Sequence, residues 1–401
     1  MTSEAAMSGE HGNHNDYNDR PSRIVIDYTS NRPGPCFVIF GSLHGDEHGG
    51  QQALQRVADV LSTEQPTLRG RIVGVLGNLQ AITVKKRFVD RDLNRGWSEE
   101  HIARLRDQDP SFDSVEDREQ RELADFIDEI ENDPNRPLVF LDMHSTSAEG
   151  LPFTCMPDTI DNLRIALHTP IPSILGLEET IDGPLLGLLS DRGFAGIIVE
   201  GGQHDNPRTV DILESVIWML LEALGCLREE DMPVIVTHRE VTHRERVKSL
   251  IHGLPRVLEI KYRHETRLDD GFQMAGGFEH YDEIKRAQVI ATDNKGQISS
   301  PCDGRVIMPR YLSNSDQGFF IAVDVSWMFV KILFLLRWLR LDRICHWLPG
   351  AHRSPDTPDY ITVAHWVPEF FVNIIRLLGW RRTAQKATHT VLRRRRVRDH
   401  I

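Results

Sequence analysis

Five cysteines, Cys36, Cys155, Cys226, Cys302 and Cys345, are all that this chain of 401 residues contains, and no two of them form a Cys-x-x-Cys pair. An odd number of scattered thiols argues against a disulfide framework and against a cysteine zinc knuckle, and it fits a reducing cytoplasm. The opening stretch MTSEAAMSGEHGNHNDYNDR lacks any apolar run and reads as a disordered polar leader over residues 1–22, not as a signal peptide. Aromatic residues are few, at 7%, and no internal repeat is visible. Positive charge is also scarce where a nucleic acid would need it. Of the net −12, residues 325–401 carry +9 (14 Lys and Arg against 5 Asp and Glu), which leaves −21 on residues 1–324. A body that acidic excludes general nucleic-acid binding, because phosphate contacts require a basic surface.

What is present is enough apolar residue, 40%, for more than one core, and at this length two domains plus appendages are expected. PCFVIF at 35–40 reads as a strand, GSLHGDEHGG as a loop, and QQALQRVADVL as a helix by its spacing. The alternation continues. RIVGVLGN (71–78) reads as a strand, 114–130 as a helix opened by Ser114, and PLVFLDMH (137–144) as a strand. Then come a strand at 171–176, a helix at 184–192, a strand at 194–200 and a long helix at 207–226. Strand–helix alternation means an α/β layered domain, here residues 23–228. After Gly225 the segments VIVTHREV, RVLEIKYRH, AQVIATDNKGQI and CDGRVIMPRY read as a small β-domain, residues 229–324, with Gly, Asp and Asn turns.

Residues 325–401 form an apolar and basic tail, expected to be helical, and five of the seven tryptophans lie in it (Trp327, Trp338, Trp347, Trp366, Trp380). Lys331 and Arg337 break its first apolar run, which therefore falls short of the ~20 residues that span a bilayer. In the second run Glu369, Asn373 and Arg376 form one polar stripe on an otherwise apolar helix that starts near Pro368. Two uses of the tail are expected: peripheral contact with the inner face of a membrane, with Arg381, Arg382 and Arg393 to Arg396 facing anionic headgroups, or packing on the body or a second subunit.

The chemistry-bearing residues lie at strand ends. His44 and Glu47 stand three apart in the loop that leaves the first strand, and His144 ends a later one in LDMHSTS. A catalytic zinc site takes three imidazole or carboxylate ligands and leaves a fourth position for water. His-x-x-Glu alone is a weak signal. Glu200 strengthens it, ending another apolar strand in IIVEGGQH at the position of a cleft wall and not of a core. Asp142 lies two residues before His144 and so projects to the same strand face. His48 reads as a bystander beside Glu47, and His204 as a loop residue.

The strings GSLHGDE, RFVDRDLNRGW, LDMHSTS and IIVEGGQH occur in the order and at about the spacing of the succinylglutamate desuccinylase and aspartoacylase family, which has a zinc carboxypeptidase fold. The chain resembles that family over approximately residues 35–225, and more loosely to 324. The resemblance implies a three-layer α/β domain with a mixed, mostly parallel sheet, followed by the small β-domain. It implies one Zn2+ per chain held by His44, Glu47 and His144, with Glu200 as general acid/base and Arg87 stabilising the oxyanion. It also implies that Asn94 and Arg95 grip the carboxylate of the substrate's amino-acid part. The activity implied is hydrolysis of the amide bond of a small N-acyl amino acid. Aspartoacylases carry an arginine ten positions before the catalytic glutamate to bind a second carboxylate. Ser190 stands there, with Arg192 two residues on, so acetylaspartate is not the expected substrate. A carboxypeptidase acting on short peptides and a non-catalytic binding protein on the same fold stay open as alternatives.

Overall fold

A computed structural model describes residues 22–394 apart from 179, 180, 182, 238–240, 268, 311–316, 340, 342–346, 354–356, 358 and 387. The proposed leader thus lies, but for Ser22, outside the described residues, as do Arg395 and Arg396. Strands β1 (Ile24–Thr29), β2 (Cys36–Gly41) and β3 (Arg71–Leu76) open the chain, with helix α1 (His48–Glu64) between the second and third. Helices α2 (Leu79–Val84), α3 (Glu99–Asp107) and α4 (Val115–Ile130) lead to strand β4 (Leu138–Thr146). Strand β5 (Phe153–Cys155), helix α5 (Ile160–Ala166), strand β6 (Ser173–Leu175), helix α6 (Leu185–Asp191), strand β7 (Ala195–Gln203) and helix α7 (Pro207–Ala223) complete the α/β part.

Every residue of β2 is buried, as an unbroken apolar run demands, because β3 and β4 flank it in parallel register and helices cover both faces. β4 in turn pairs in parallel with β7, which sets His144 opposite Glu200. One apolar layer gathers Leu54, Val57 and Leu61 of α1 with Leu213, Val216 and Trp218 of α7. The other gathers Leu123 and Ile127 of α4 with Leu185 and Leu189 of α6. Ser114 opens α4 as expected, in a capping box with Asp117. These layers and the mixed sheet confirm the expected α/β architecture.

The sheet does not end there. It runs β1-β3-β2-β4-β7-β5-β6 and continues into four further strands, making eleven. These are β8 (Val257–Glu265), which lies parallel to β6, then β14, β13 and β10. Between β8 and β14 come β9 (Gln273–Met274), β10 (Glu283–Ile284), β11 (Val289–Asp293), β12 (Gly296–Ser299) and β13 (Gly304–Ile307), and β14 is Gln317–Asp324. The described residues of VIVTHREV do not form a strand. Val234–Thr237 is a short helix, α8, and His243–Leu250 a second, α9. The Glu64 carboxylate accepts the Ile235 N–H at 2.9 Å and also bonds that of Val234, and Thr242 makes a capping box with Glu245, so local capping overrides the β-branched composition.

The tail contributes α10 (Trp327–Trp338) and α11 (Glu369–Leu377), as its helical spacing predicts, and more besides. Strands β15 (Ala351–Arg353), β16 (Tyr360–Ala364), β17 (Trp380–Gln385) and β18 (His389–Arg394) form an antiparallel sheet in the order β15-β16-β18-β17. Ile361, Val363 and Leu392 of this sheet make a small core with Val372 and Ile375 of α11. Val330 and Leu333 of α10 are fully buried in the main core. Among the described residues, no helix is long and apolar enough to cross a membrane.

Candidate active site

The carboxyl ends of β2, β4 and β7 lie side by side, and they bring together the residues that the sequence places at strand ends. Ser42 and Leu43 follow β2, and the Ser42 hydroxyl donates to the Glu47 carbonyl at 2.9 Å, folding the loop so that His44 and Glu47 face one point. His44 Nδ1 lies 2.7 Å from Glu47 Oε1 and His144 Nδ1 lies 2.9 Å from Glu47 Oε2. All three side chains are buried, at 3%, 3% and 5% exposure, and one ligand atom from each lies within 4.8 Å of the others. The Ser145 N–H donates to Glu47 Oε2 at 3.0 Å, an anchor with no signal in the sequence.

The far nitrogen of each imidazole meets its own carboxylate. His44 Nε2 is 3.1 Å from Asp92 Oδ1, and His144 Nε2 is 3.1 Å from Asp142 Oδ2, the same-face neighbour expected of Asp142. Such partners fix the ring tautomer and aim the near nitrogen at a metal. Burial lowers the His44 pKa, but Glu47 and Asp92 outweigh it and hold it above its usual value. For His144 the Asp142 and Glu47 carboxylates overcome burial still more strongly. Glu47 responds in the opposite direction: burial raises its pKa, and the two imidazoles pull it well below the carboxylate range. The carboxylates thus raise the two imidazoles and the imidazoles keep Glu47 ionised, and a buried N, N, O donor set of this kind fits a divalent cation such as zinc.

Glu200 stands beside His144 on the neighbouring strand, about 5 Å away in the sheet. Its Oε2 is buried and has no hydrogen-bond partner among the described residues. Burial, joined by the negative charge of Glu47, pushes its carboxyl up to about 7 against the opposing pull of His144, His44 and Arg87. A carboxyl poised near neutral pH can both take and give a proton.

The loop after α2 supplies the arginines. Arg87 bonds Asp92 Oδ2 at 3.0 and 3.2 Å and reaches Glu47 Oε1 at 3.4 Å, so Asp92 orients Arg87 and His44 together. Arg95 does not bond the Asp92 side chain, and one of its guanidinium nitrogens donates to the Asn94 carbonyl at 2.7 Å. Asn94 is buried. Its Oδ1 accepts the Leu185 N–H at 2.8 Å at the start of α6, and its Nδ2 is 3.4 Å from His144 Nε2. Ser190 is buried in α6, and Arg192 pairs with Glu99, Asp128 and Glu131, so neither adds a second carboxylate grip to the site.

Sequence reading missed Glu116, which lies in the first turn of α4 and is fully buried. Its oxygens accept the N–H groups of Val89, Asp90 and Arg91 at 2.7, 2.9 and 3.1 Å, and Asn78 Nδ2 at 3.0 Å. Burial raises its pKa, but these donors outweigh burial and hold the carboxyl below its usual value. It pins the loop that carries Arg87, Asp92, Asn94 and Arg95. Glu116→Ala leaves three backbone donors unmatched in a buried place and should cost about 3–5 kcal/mol of stability in chemical denaturation. A loss below about 1 kcal/mol would show that the loop is held otherwise.

Residues 33–167 match the family model described as the succinylglutamate desuccinylase/aspartoacylase catalytic domain. A probable aspartoacylase of Nostoc sp. is 31% identical over 114 residues, which are 28% of this chain and 35% of that protein; the match thus spans about a third of the relative's length. The fold is similar to that of a succinylglutamate desuccinylase of Vibrio cholerae, with a TM-score of 0.53 at 14% identity over 73% of this chain and 82% of that one. It is equally similar to a succinylglutamate desuccinylase/aspartoacylase of Rhodobacter sphaeroides, with a TM-score of 0.53 at 18% identity over 74% of this chain and 87% of that one. The stretch that matches this family's catalytic domain, residues 33–167, is the one that holds His44, Glu47 and His144.

Proposed function

We propose that the protein is a zinc-dependent deacylase that hydrolyses the amide bond of a small N-acyl amino acid. The observation that carries this reading is the convergence of His44, Glu47 and His144 beside Glu200 at the carboxyl ends of three parallel strands. When bound, zinc would supply an acidified water and polarise the amide carbonyl. Glu200 takes the proton of the attacking water and delivers it to the leaving nitrogen, a role for which a carboxyl near pH 7 is suited. Arg87, held at Asp92, offers its guanidinium to the oxyanion that develops on the carbonyl. Asp92 and Asp142 keep the two imidazoles oriented. Asn94, bonded to Leu185, shapes the wall beside Arg95, whose planar fork suits a carboxylate.

Two further features support a small substrate with one such carboxylate. Arg192 is tied up in ion pairs away from the site, and the β-rich part closes on the strand next to Glu200, where the His280 ring lies 5.0 Å from that of Phe153. The described cysteines are free thiols, in keeping with action in the cytoplasm. Arg95→Lys should raise KM for an N-acyl amino acid roughly 10–100-fold while leaving its amide-capped analogue nearly unaffected, since the forked contact is lost only where a carboxylate exists. Steady-state kinetics on the two substrates test this; equal effects would take Arg95 out of carboxylate binding.

A further inference from the structure

We propose that the outward face of α10 and α11 docks the protein on an anionic bilayer surface, with the catalytic cleft turned away from the lipid. Eleven of the twenty-one exposed large apolar side chains among the described residues lie beyond residue 324. On α10 they follow one stripe, Met328, Ile332, Leu335 and Trp338, at 70%, 43%, 51% and 77% exposure, while Val330 and Leu333 on the opposite side are buried in the main core. The exposed Lys331 stands within this stripe and is long enough to reach past lipid carbonyls to the headgroups. α11 extends the patch: Phe370 lies 5.7 Å from Phe329 of α10 and 5.5 Å from Phe371, and Phe370 and Phe371 are 56% and 44% exposed.

The polar stripe of α11 does not face this patch. Asn373 bonds Glu259 at 2.9 Å and Arg376 bonds Asp158 at 3.2 Å, so the stripe clamps the helix to the body and leaves the phenylalanines outside. A solvated surface has no use for exposed Trp, Phe and Met at that density, whereas the boundary between lipid and water favours such residues.

Charge selects the occupant. The tail carries +9 and the rest of the chain −21. A two-fold dimer through this face would bring two such positive tails together, whereas an anionic lipid surface attracts the tail and repels the body. Topology then orients the molecule. β5 runs antiparallel to β7, so Asp158, just beyond β5, lies toward the amino end of the central strands, opposite His144 and Glu200. Arg393, expected to face headgroups, instead lines a cleft with Glu99, Glu100, Asp128, Glu131 and Arg192. Glu131 and Arg192, which precede β4 and β7, mark the amino end of this cleft, while Trp97, Ser98 and Gly183 line its other part, nearer Asn94 and Leu185. The Asp158 contact therefore sets α11 at the pole of the sheet opposite the site, and a docked enzyme takes its substrate from water.

The test is flotation of the full-length protein with vesicles of phosphatidylglycerol and phosphatidylcholine, and with phosphatidylcholine alone. Binding should require the anionic lipid and weaken on the order of tenfold or more at ~0.5 M salt. It should weaken comparably in Met328→Glu/Leu335→Glu/Trp338→Glu, whose positions are exposed and whose thermal midpoint should match the parent. Trp338→Ser alone, a milder change, should give a smaller loss in the same direction. Three results would each overturn the proposal: no flotation with anionic vesicles at low salt, binding untouched by the triple variant, or a dimer in light scattering that the triple variant turns into monomer. The last result would assign the face to a second copy.

Discussion

Glu200→Gln should keep its metal and lose roughly 10²–10⁴-fold in kcat, the usual worth of a positioned proton carrier. The change keeps the shape of the side chain and removes only its ability to exchange a proton. Glu200 makes no hydrogen bond to the His44, Glu47 and His144 cluster, so metal content and rate should separate cleanly in this variant. The buried Oε2 without a partner also means that the amide has no native hydrogen bond to break there, and the fold should survive the substitution. Single-turnover kinetics on a chromogenic N-acyl amino acid, beside metal analysis of the same sample, give the answer. Turnover within about threefold of the parent would remove Glu200 from proton transfer.

Much of the α/β half is legible because its signals are local. An apolar run such as CFVIF declares a strand buried on both faces, and His144 and Glu200 declare themselves by ending such runs with residues that a core rejects. Their meeting could not be read from spacing. The parallel pairing of β4 with β7 creates it, and 55 residues of intervening chain carry no mark of that register. Glu116 was invisible for a similar reason: a glutamate in the first turn of a helix reads as a response to the helix dipole, and only the fold shows it gathering three backbone donors of a distant loop. In VIVTHREV the β-branched residues pointed to a strand, and capping by Glu64 and Thr242 overruled them.

The tail shows what a helical stripe can and cannot say. Glu369, Asn373 and Arg376 do share a face, as their spacing requires, but spacing does not say whether that face meets water or protein. Asp158 and Glu259, both far away in sequence, decide it. The sheet of β15 to β18 carries little signal in the sequence, because its strands are only three to six residues long and the alternation of Thr390 and Leu392 is masked by the arginines that follow.

The central claim, a metal-dependent hydrolase built on His44, Glu47 and His144, stands or falls on metal content. The two imidazoles and the shared carboxylate are buried, and each far ring nitrogen meets a carboxylate that aims the near one inward. Removing either histidine takes away one of three protein ligands, so the site should lose its cation as well as its rate. The measurement is mass-spectrometric metal analysis of the purified parent, His44→Ala and His144→Ala. About one zinc per chain in the parent and less than about a tenth of that in both variants is the result expected. Stoichiometric zinc retained in both variants would contradict the assignment of the site.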